Sequence, residues 1–340
     1  MAGGGAVSNI RVGIVGAGAI AQIAHLPVLR KLKGVQVVGI CDNDGPKARA
    51  LAARFETGAA YDDIEELLEL ARVDVVVICT PNHLHEAHAI AAMAAGAHVL
   101  VERPLALSGA GVARVLKAAE RYKRTLLVAM NSRFRADVQA VQGFLKGGEL
   151  GPLSTIRCGW QVFRTPHLTL GWRSRRAESG GGVMMDLGLP MLDLALWIAG
   201  TPAVERVSAF LDRVQGKQVD EIAAAHLYCE GGLSIFCDVS WRHVGEGERT
   251  WLDVQGAKGS ASISPLRVFK ELHGVPVDVT PTGAIGRENP FSASYRSEWA
   301  YFLAAIRGEV QVEPPEDQVQ LHKVLEAIYR SADEQHDIKL

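Results

Sequence analysis

A strand that ends in glycines and runs into a helix is the feature that most constrains this chain. Residues 10-IRVGIVGAG-18 form a short β-branched run, and 19-AIAQIAHLPVLRKL-32 has the apolar spacing of a helix. The junction has the pattern GxGxxA, which ends at Ala21. The first glycine permits a tight turn, the second lets a pyrophosphate approach the backbone, and the small third residue lets helix and strand pack closely. The residues predicted to surround the pyrophosphate are Gly16, Gly18, Ala19 and Ile20.

Strands then alternate with helices as far as residue 131. The predicted strands are 35–42, 74–79, 97–102 and 125–130, and the predicted helices are 44–55, 84–95 and 108–122. This alternation predicts a doubly wound parallel sheet, in which ligands bind at the carboxyl ends of the strands. The residues predicted at those ends are Asp42, Thr80, Asn82, Glu102, Arg103 and Asn131. The first part of the chain is therefore expected to bind a dinucleotide.

Asp42 follows the second strand at the distance from the glycines where a ribose-binding acid belongs. Its carboxylate would accept hydrogen bonds from the adenosine ribose hydroxyls and repel a 2′-phosphate. This favours NAD over NADP as the cofactor. The alternative is that Asp42 is a turn residue or a helix N-cap.

The composition limits which classes of partner the chain is expected to bind and indicates the cell compartment in which it is expected to work. The chain has 340 residues, enough for two domains of the usual ~100–200 residues. Its net charge of −2 indicates neither nucleic acid nor a membrane as a partner. The longest apolar runs, such as 73-VDVVVICT-80, are strand-length, and residues 1–9 lack the layout of a secretory signal and are expected to form a flexible tail. Five cysteines without a CxxC pair favour a reducing cytoplasm.

Motifs spread over the whole chain resemble one family. These are 79-CTPNHLHEAHAIAAMAAGAHVLVERPLAL-107, 171-GWR-173, 180-GGGVMMDLGLPMLDLALWIAG-200 and 318-QVQLHKVLEAIYRSADE-334. In order and spacing they are similar to the glucose–fructose oxidoreductase, inositol dehydrogenase and MocA (Gfo/Idh/MocA) family. The resemblance implies an NAD(P)-dependent oxidoreductase that moves a hydride to or from a hydroxyl or keto carbon of a sugar, cyclitol or sugar acid.

The resemblance also implies the domain organisation. It predicts an NAD(P)-binding Rossmann domain over 10–131 and a substrate and oligomerisation domain over 132–340, whose last helix can pack back on the first domain. The second domain is expected to be α/β with an open, mostly antiparallel sheet. Alternating runs at 153–163, 204–212, 222–230 and 233–241 support that sheet. A homodimer or homotetramer formed through the sheet would cover part of its apolar surface.

Two positions depart from the family's catalytic motifs. The family's Glu-Lys-Pro is 102-ERP-104 here, and Asp-x-Gly-x-His-x-x-Asp is 186-DLGLPMLD-193. The proton-handling lysine and histidine are thus replaced by Arg103 and Pro190. Arginine stays protonated, and a proline side chain carries no proton. The usual proton relay is therefore absent.

Three interpretations remain open. In the first, the chain is an oxidoreductase in which Asp186 handles the proton, since burial can tune a carboxyl towards that role, or else His167 does. Arg103 would then hold an oxygen of an anionic substrate through its guanidinium fork. In the second, the chain is a catalytically silent sensor or partner subunit that binds a dinucleotide or a sugar. In the third, NAD assists a glycosidase-like elimination through transient oxidation.

Other candidate residues follow from the resemblance or from spacing. The family match places His85 beside the nicotinamide ribose, and it predicts that Trp172, Arg173, Asp186 and Asp193 contact the substrate. Glu102 is expected to contact the nicotinamide side of the site, or alternatively to form a strand-end salt bridge. Trp172 can alternatively anchor a loop, and Asp193 can be a structural acid. His83, His85 and His88 lie close in sequence, but no metal site is expected, because a zinc site needs a third protein ligand and orienting partners.

Overall fold

The structure, a computed structural model, describes residues 9–164, 171–212, 218–283 and 288–340. The chain divides into two compact units. The first comprises the residues up to Ala106 together with Ala110–Ala129 and Tyr295–Glu316; the second comprises Leu107–Gly109, Met130–Ser294 and Asp317–Leu340. The segment Tyr295–Glu316 therefore belongs to the first unit, whereas the last helix belongs to the second.

Within the described ranges, six parallel strands form the sheet of the first unit in the order β3-β2-β1-β4-β5-β6. They are β1 (Ile10–Val15), β2 (Val35–Cys41), β3 (Ala59–Tyr61), β4 (Val75–Ile78), β5 (His98–Glu102) and β6 (Leu126–Ala129). Every residue of β4 is buried, as expected for a central strand covered by helices on both faces. The predicted doubly wound sheet is confirmed. β3 and the short helix after it were not predicted.

The helices from the first part of the chain connect these strands. They are α1 (Leu26–Leu29), α2 (Gly45–Phe55), α3 (Ile64–Leu70), α4 (His85–Ala94) and α5 (Gly109–Tyr122). A π-helical turn, Ala21–His25, leads directly into α1, and Pro27 is accommodated because it lies in the first turn of that helix.

Among the residues that the structure describes, nine strands form the sheet of the second unit in the order β14-β13-β12-β11-β7-β10-β9-β8-β15. They are β7 (Leu153–Gln161), β8 (Val204–Asp212), β9 (Ile222–Cys229), β10 (Ser234–Ser240), β11 (Arg249–Gly256), β12 (Gly259–Ile263), β13 (Arg267–Leu272), β14 (Val275–Asp278) and β15 (Ile338–Lys339). β10 runs parallel to β7, and the other neighbouring pairs are antiparallel. The open, mostly antiparallel sheet is confirmed.

Helices cover one face of this second sheet. The helices in this part of the chain are α6 (Ala136–Lys146), α7 (Arg176–Ser179), α8 (Leu189–Ile198), α9 (Pro290–Ile306) and α10 (Asp317–Glu334). Of these, α9 belongs to the first unit from Tyr295 onward. α10 packs on β8, and α8 packs on β7 and β10. Alternate residues of β9 are accordingly buried, while those between them, such as Ala224 and His226, face away from the helices.

One described segment, Arg176–Ile198, has the length and apolar composition of a membrane-spanning helix. Of its most apolar window, 89% is buried inside the structure. Such burial is the property of a core helix, and the cover that α8 gives the second sheet accounts for its apolar composition.

Candidate functional site

The glycine turn after β1 has the shape that the sequence predicts. Gly16 has φ +99°, and a Cβ there would lie 2.6 Å from the carbonyl carbon of Cys79, so conformation and space both demand glycine. At Gly18 a Cβ would come no closer than 3.7 Å to the protein. The protein's own packing therefore does not require a glycine at Gly18, whereas a phosphate approaching the backbone would. Ala19 and Ile20 are the first residues of the helix that follows. The turn fits a dinucleotide pyrophosphate.

Asp42 lies at the carboxyl end of β2, next to this turn. Its Oδ2 accepts a hydrogen bond from the Ala17 backbone N–H at 2.7 Å, and its Oδ1 accepts one from the Asp44 N–H at 3.0 Å. The Lys47 ammonium is 3.2 Å from Oδ2. The N-cap of α2 is Asp44, whose carboxylate accepts from the Lys47 N–H. Asp42 thus ties the glycine turn to β2.

Glu102 ends β5 inside a buried network that joins distant parts of the first unit. Its Oε1 accepts a hydrogen bond from the Tyr295 hydroxyl at 3.0 Å and lies 3.0 Å from Nε2 of His25. Trp299 Nε1 donates to His25 Nδ1 at 3.1 Å, so a neutral His25 carries its proton on Nε2 and donates it to Glu102. Burial alone would raise the pKa of Glu102, but the hydrogen bonds and the nearby Arg103 charge hold it below its ordinary value.

His85 joins the loops that follow β4 and β5. Its Nδ1 lies 2.7 Å from the Pro104 carbonyl oxygen, and its Nε2 lies 2.8 Å from that of Thr80. Burial lowers the pKa of His85, and a neutral imidazole donates to one of these carbonyls at a time. The Thr80 hydroxyl is also 3.2 Å from Nδ1 of His88, and Asn82 is buried in the same loop. Hydrogen bonds within the protein therefore hold the loop after β4 in place. The contact of this loop with the cofactor stays a prediction.

Arg103 and Asn131 follow the ends of their strands as predicted. Arg103 is half-buried directly after Glu102. Asn131 follows β6, begins a short 3₁₀ turn in the second unit, and donates from Nδ2 to the Ser294 hydroxyl at 3.0 Å. Their roles towards a cofactor remain predictions.

Asp186 lies in the second unit within a cluster of arginine and tryptophan side chains. Its Oδ2 accepts hydrogen bonds from Arg164 Nη2 at 2.5 Å and from Trp241 Nε1 at 3.1 Å. Arg173 Nε is 3.7 Å from Oδ1, close enough for an ion pair but too far for a hydrogen bond. The Asp186 side chain is 18% exposed. The Arg173 guanidinium stacks 4.4 Å from the ring centre of Trp172. The structure thus brings together Asp186, Arg173 and Trp172, which were predicted from the sequence.

Asp193 lies in a different environment. Arg133 Nε donates to its Oδ2 at 2.8 Å, Arg133 Nη2 bonds its Oδ1, and Gln318 Nε2 donates to Oδ1 at 3.0 Å. Asp193 is 3% exposed. These contacts are those of a structural acid, the alternative that the sequence left open, and the substrate contact of Asp193 stays a prediction. His167 lies outside the described residues.

Sequence reasoning missed the partners of these acids. Arg164 and Trp241 lie 22 and 55 residues from Asp186, and Tyr295 lies 193 residues from Glu102. A pattern of neighbouring residues carries no signal for such pairs. The weak signal in the sequence was Trp241 at the end of the alternating run 233–241, since an indole N–H needs an acceptor when it is buried. Within the described ranges, no three His, Cys, Asp or Glu side chains are grouped to hold a metal ion.

Comparisons with known proteins cover nearly the whole chain. A family model for the GFO/IDH/MocA oxidoreductase family, NAD-binding Rossmann fold, matches residues 10–130, and the GFO/IDH/MocA C-terminal domain matches 138–262. D-glucoside 3-dehydrogenase of Escherichia coli K12 is 25% identical, covering 96% of each chain. An uncharacterised oxidoreductase of Rhizobium meliloti is 31% identical, covering 95% of this chain and 97% of that protein.

Solved structures show the same fold. Levoglucosan dehydrogenase, in complex with NADH and levoglucosan, superimposes with a TM-score of 0.88 at 21% identity and covers 98% of this chain and 99% of its own. At that identity the likeness concerns the fold alone. The family-model match makes the first unit an NAD-binding Rossmann domain, which confirms the predicted cofactor.

Proposed function

Because this chain belongs to the Gfo/Idh/MocA family of NAD-dependent oxidoreductases, we propose that it interconverts a hydroxyl and a keto group on a sugar, cyclitol or sugar acid. Relatives named D-glucoside 3-dehydrogenase and 1,5-anhydro-D-fructose reductase support a carbohydrate substrate. NAD held at the glycine turn and Asp42 would supply the acceptor for a hydride from the substrate carbon, and NADH the donor in the reverse direction. The chain must then take up or supply the proton of the hydroxyl group.

The observation that carries the proposal is the Asp186 carboxylate. The arginine that stands for the family's lysine cannot give up its proton, and Pro190 has none, but Asp186 keeps its place in the motif. Its bonds from Arg164 and Trp241 both go to Oδ2. We assign the Asp186 carboxylate as the group that accepts the hydroxyl proton. His167 is the second candidate for that role, and Arg103 is assigned to holding an oxygen of the substrate.

A substrate screen tests this assignment. Sugars, cyclitols and sugar acids are incubated with NAD, and NADH formation is followed by absorbance for the wild type and for Asp186→Asn. We expect Asp186→Asn to lose at least about 100-fold in kcat, the contribution of a general base, with NAD affinity unchanged. Asp137→Asn is the matched control, because Asp137 is also a poorly exposed acid bonded to an arginine, Arg135, in the second unit.

The outcomes separate the competing interpretations. Full activity in Asp186→Asn would exclude Asp186 as the base, and His167→Gln would then be measured. NAD binding without turnover across the whole panel would overturn the oxidoreductase proposal and favour a silent binding protein. Product formation without net NADH would indicate elimination assisted by transient oxidation.

The silent binding protein is the second candidate function. It is favoured by the same cluster, since the Asp186 carboxylate is already paired with a cation and the family's lysine and histidine are both absent. In that case the Arg164 and Arg173 side chains would serve recognition alone.

We also propose that the chain forms a homodimer or homotetramer through the open face of the second sheet. Phe210 on β8 is 61% exposed and Phe236 on β10 is 38% exposed. Between them, the His226 ring stacks on Phe236 with ring centres 4.1 Å apart, and the Arg206 guanidinium lies 3.7 Å from the Tyr228 ring centre. Exposed aromatic and arginine side chains of this kind are enriched at protein–protein interfaces.

A further inference from the structure

Two guanidinium groups converge on the single carboxylate of Asp186. Arg164 donates to Oδ2 at 2.5 Å, and Arg173 lies 3.7 Å from Oδ1, so the two cations approach different oxygens of one acid. The Arg164 and Arg173 side chains are 30% and 42% exposed. Both can therefore be reached by a solute without unfolding the unit.

An indole ring supports each guanidinium. Arg164 stacks 4.9 Å from the ring centre of Trp241, and Arg173 stacks 4.4 Å from that of Trp172. The backbone N–H of Arg164 donates to the Trp241 carbonyl at 2.8 Å, which fixes the base of that side chain as well. Trp241 is 2% exposed, so it is a rigid support. The stacking holds the planar forks in place and lowers the entropic cost of binding an oxyanion.

The Arg164 guanidinium has hydrogen-bonding capacity beyond Asp186. A guanidinium has five N–H donors, and within the described ranges Asp186 is the carboxylate that pairs with Arg164. Arginine pairs of this kind suit a planar anion, which can be bound by two parallel N–H···O bonds. A neutral sugar hydroxyl gains much less from such a site, since it carries no charge and binds through one oxygen.

We propose that the substrate is a sugar acid whose carboxylate binds to Arg164 and Arg173 and replaces Asp186 as their counter-ion. This rests on the proposed function, because it takes Asp186 to be the proton acceptor. In the free protein the two cations hold Asp186 as an ion-paired carboxylate. When the substrate carboxylate takes over that pairing, Asp186 is released to accept the hydroxyl proton, while the hydride leaves the same carbon for NAD. The product is the keto acid, with NADH and a protonated Asp186.

Matched substrate pairs test the proposal. D-glucuronate and D-galacturonate are compared with their uncharged amides, and D-gluconate with D-glucose, by NADH formation and by calorimetric binding to the NAD-loaded protein. We expect kcat/KM or affinity to favour the acids by about 10- to 100-fold, the range of a charge-assisted bidentate contact. Arg164→Gln is expected to abolish that preference through KM, and Arg164→Lys to retain part of it.

Arg249→Gln is the control, because Arg249 stacks 4.8 Å from the ring centre of Trp251 in the same way, on β11. The Arg249→Gln variant should favour acids over their uncharged counterparts as strongly as the wild type does. NADH formation from neutral sugars at least as fast as from acids would overturn the sugar-acid proposal and leave the proposed oxidoreductase intact. If no compound gives NADH, the proposed function fails, but the binding titration still tests the carboxylate site. Tighter binding of acids that Arg164→Gln removes would support the site at Arg164 and Arg173. Equal binding of acid and amide would overturn it.

Discussion

At the scale of single residues, the Asp42 carboxylate has contacts within the protein in addition to its predicted contact with the cofactor. It accepts hydrogen bonds from the backbone of the glycine turn and from Asp44, and it pairs with Lys47. A carboxylate so placed can still accept from ribose hydroxyls, since each oxygen has two lone pairs. Lys47 would attract a 2′-phosphate if the carboxylate charge were removed. We therefore expect the choice between NAD and NADP to depend on the negative charge of Asp42 and the positive charge of Lys47 beside it.

Asp42→Asn is expected to shift the preference towards NADP. The amide keeps an acceptor oxygen for the glycine turn but loses the repulsion of a 2′-phosphate and leaves Lys47 without its counter-ion. We expect the ratio of the NAD and NADP dissociation constants to change by about 10-fold or more, from the loss of one charge-assisted contact. Titration of each cofactor measures this ratio. Asp44→Asn is the control, because asparagine preserves the N-cap of α2; an equal shift there would refute the assignment of Asp42.

Glu298 is a second residue whose environment has a measurable effect, in this case on how stability depends on pH. Neither of its carboxylate oxygens has a hydrogen-bond partner in the described part of the chain, and the residue is 0% exposed. Burial, and secondarily the charge of Glu102, raises the pKa of Glu298 well above its ordinary value. The folded protein therefore binds a proton that the unfolded chain releases. Stability should fall as the pH rises above about 4.5, the ordinary glutamate value, until the raised pKa is passed.

Glu298→Gln should remove this pH dependence. Its free energy of unfolding should exceed that of the wild type increasingly as the pH rises, by at most about 1.4 kcal/mol per pH unit. Denaturant unfolding at pH 5, 6, 7 and 8 gives the difference between the two proteins. Glu309→Gln changes an exposed glutamate of the same unit and should run parallel to the wild type. A difference between Glu298→Gln and the wild type that stays constant with pH would contradict the prediction.

At the scale of secondary-structure elements, a π-helical turn explains how a proline is accommodated between Asp186 and Asp193. The turn Met184–Gly188 closes with the Leu189 N–H donating to the Met184 carbonyl, and α8 then begins with Pro190 in its first turn. A proline is tolerated there, since the wider turn has already replaced the i→i−4 hydrogen-bond pattern, for which Pro190 lacks the N–H. The wider turn changes the angular spacing of the two acids from that of a regular α-helix. They accordingly contact different residues, Arg164 for one and Arg133 for the other.

Arg133 joins three elements of the second unit. It lies in the 3₁₀ turn after β6 and bonds both Asp193 of α8 and Asp317 of α10, and its guanidinium stacks 5.7 Å from the Trp197 ring centre. The side chain is 19% exposed. Removing this cation leaves two carboxylates close together with little solvent to stabilise them. The cost of such a loss exceeds the net contribution of the ion pairs themselves.

Arg133→Met should therefore destabilise the second unit by about 3–5 kcal/mol. Denaturant unfolding followed by tryptophan fluorescence is suitable, since Trp197 lies beside the substituted side chain. Arg135→Met provides the comparison: Arg135 is 22% exposed and pairs with one acid, Asp137, so a smaller loss is expected. Equal losses in the two variants, or a loss below about 1 kcal/mol for Arg133→Met, would show that the acids are stabilised in another way.

At the scale of the whole molecule, the sequence predicted the parts of the fold that local patterns specify. The glycine turn at Gly16 and the buried strand at 75–78 have strong local signals, and both were placed correctly. The strands β11 to β15 were not predicted. The edge strand β14, for example, has every residue exposed and so carries no alternation of apolar and polar residues. The hydrogen bond between Trp299 and His25 spans 274 residues, and the one between Arg133 and Asp317 spans 184. Such contacts depend on how the elements pack, which residue spacing alone does not encode.

The open face of the second sheet is the surface through which we expect copies of the chain to associate. Phe210→Asp with Phe236→Asp places two charges on that face, where the monomer tolerates them because both side chains are exposed. If two copies pair through the sheet, these charges are buried on association, and each unpaired buried charge costs several kcal/mol. Light scattering during gel filtration should therefore show the wild type as a dimer or tetramer and the double variant as a monomer of 36.6 kDa.

Val244→Asp is the control, because it changes an apolar side chain that is 84% exposed outside the strands, and it should leave the mass unchanged. A wild type that is itself monomeric at micromolar concentration, or a double variant that keeps the wild-type mass, would place the subunit contact elsewhere or remove it.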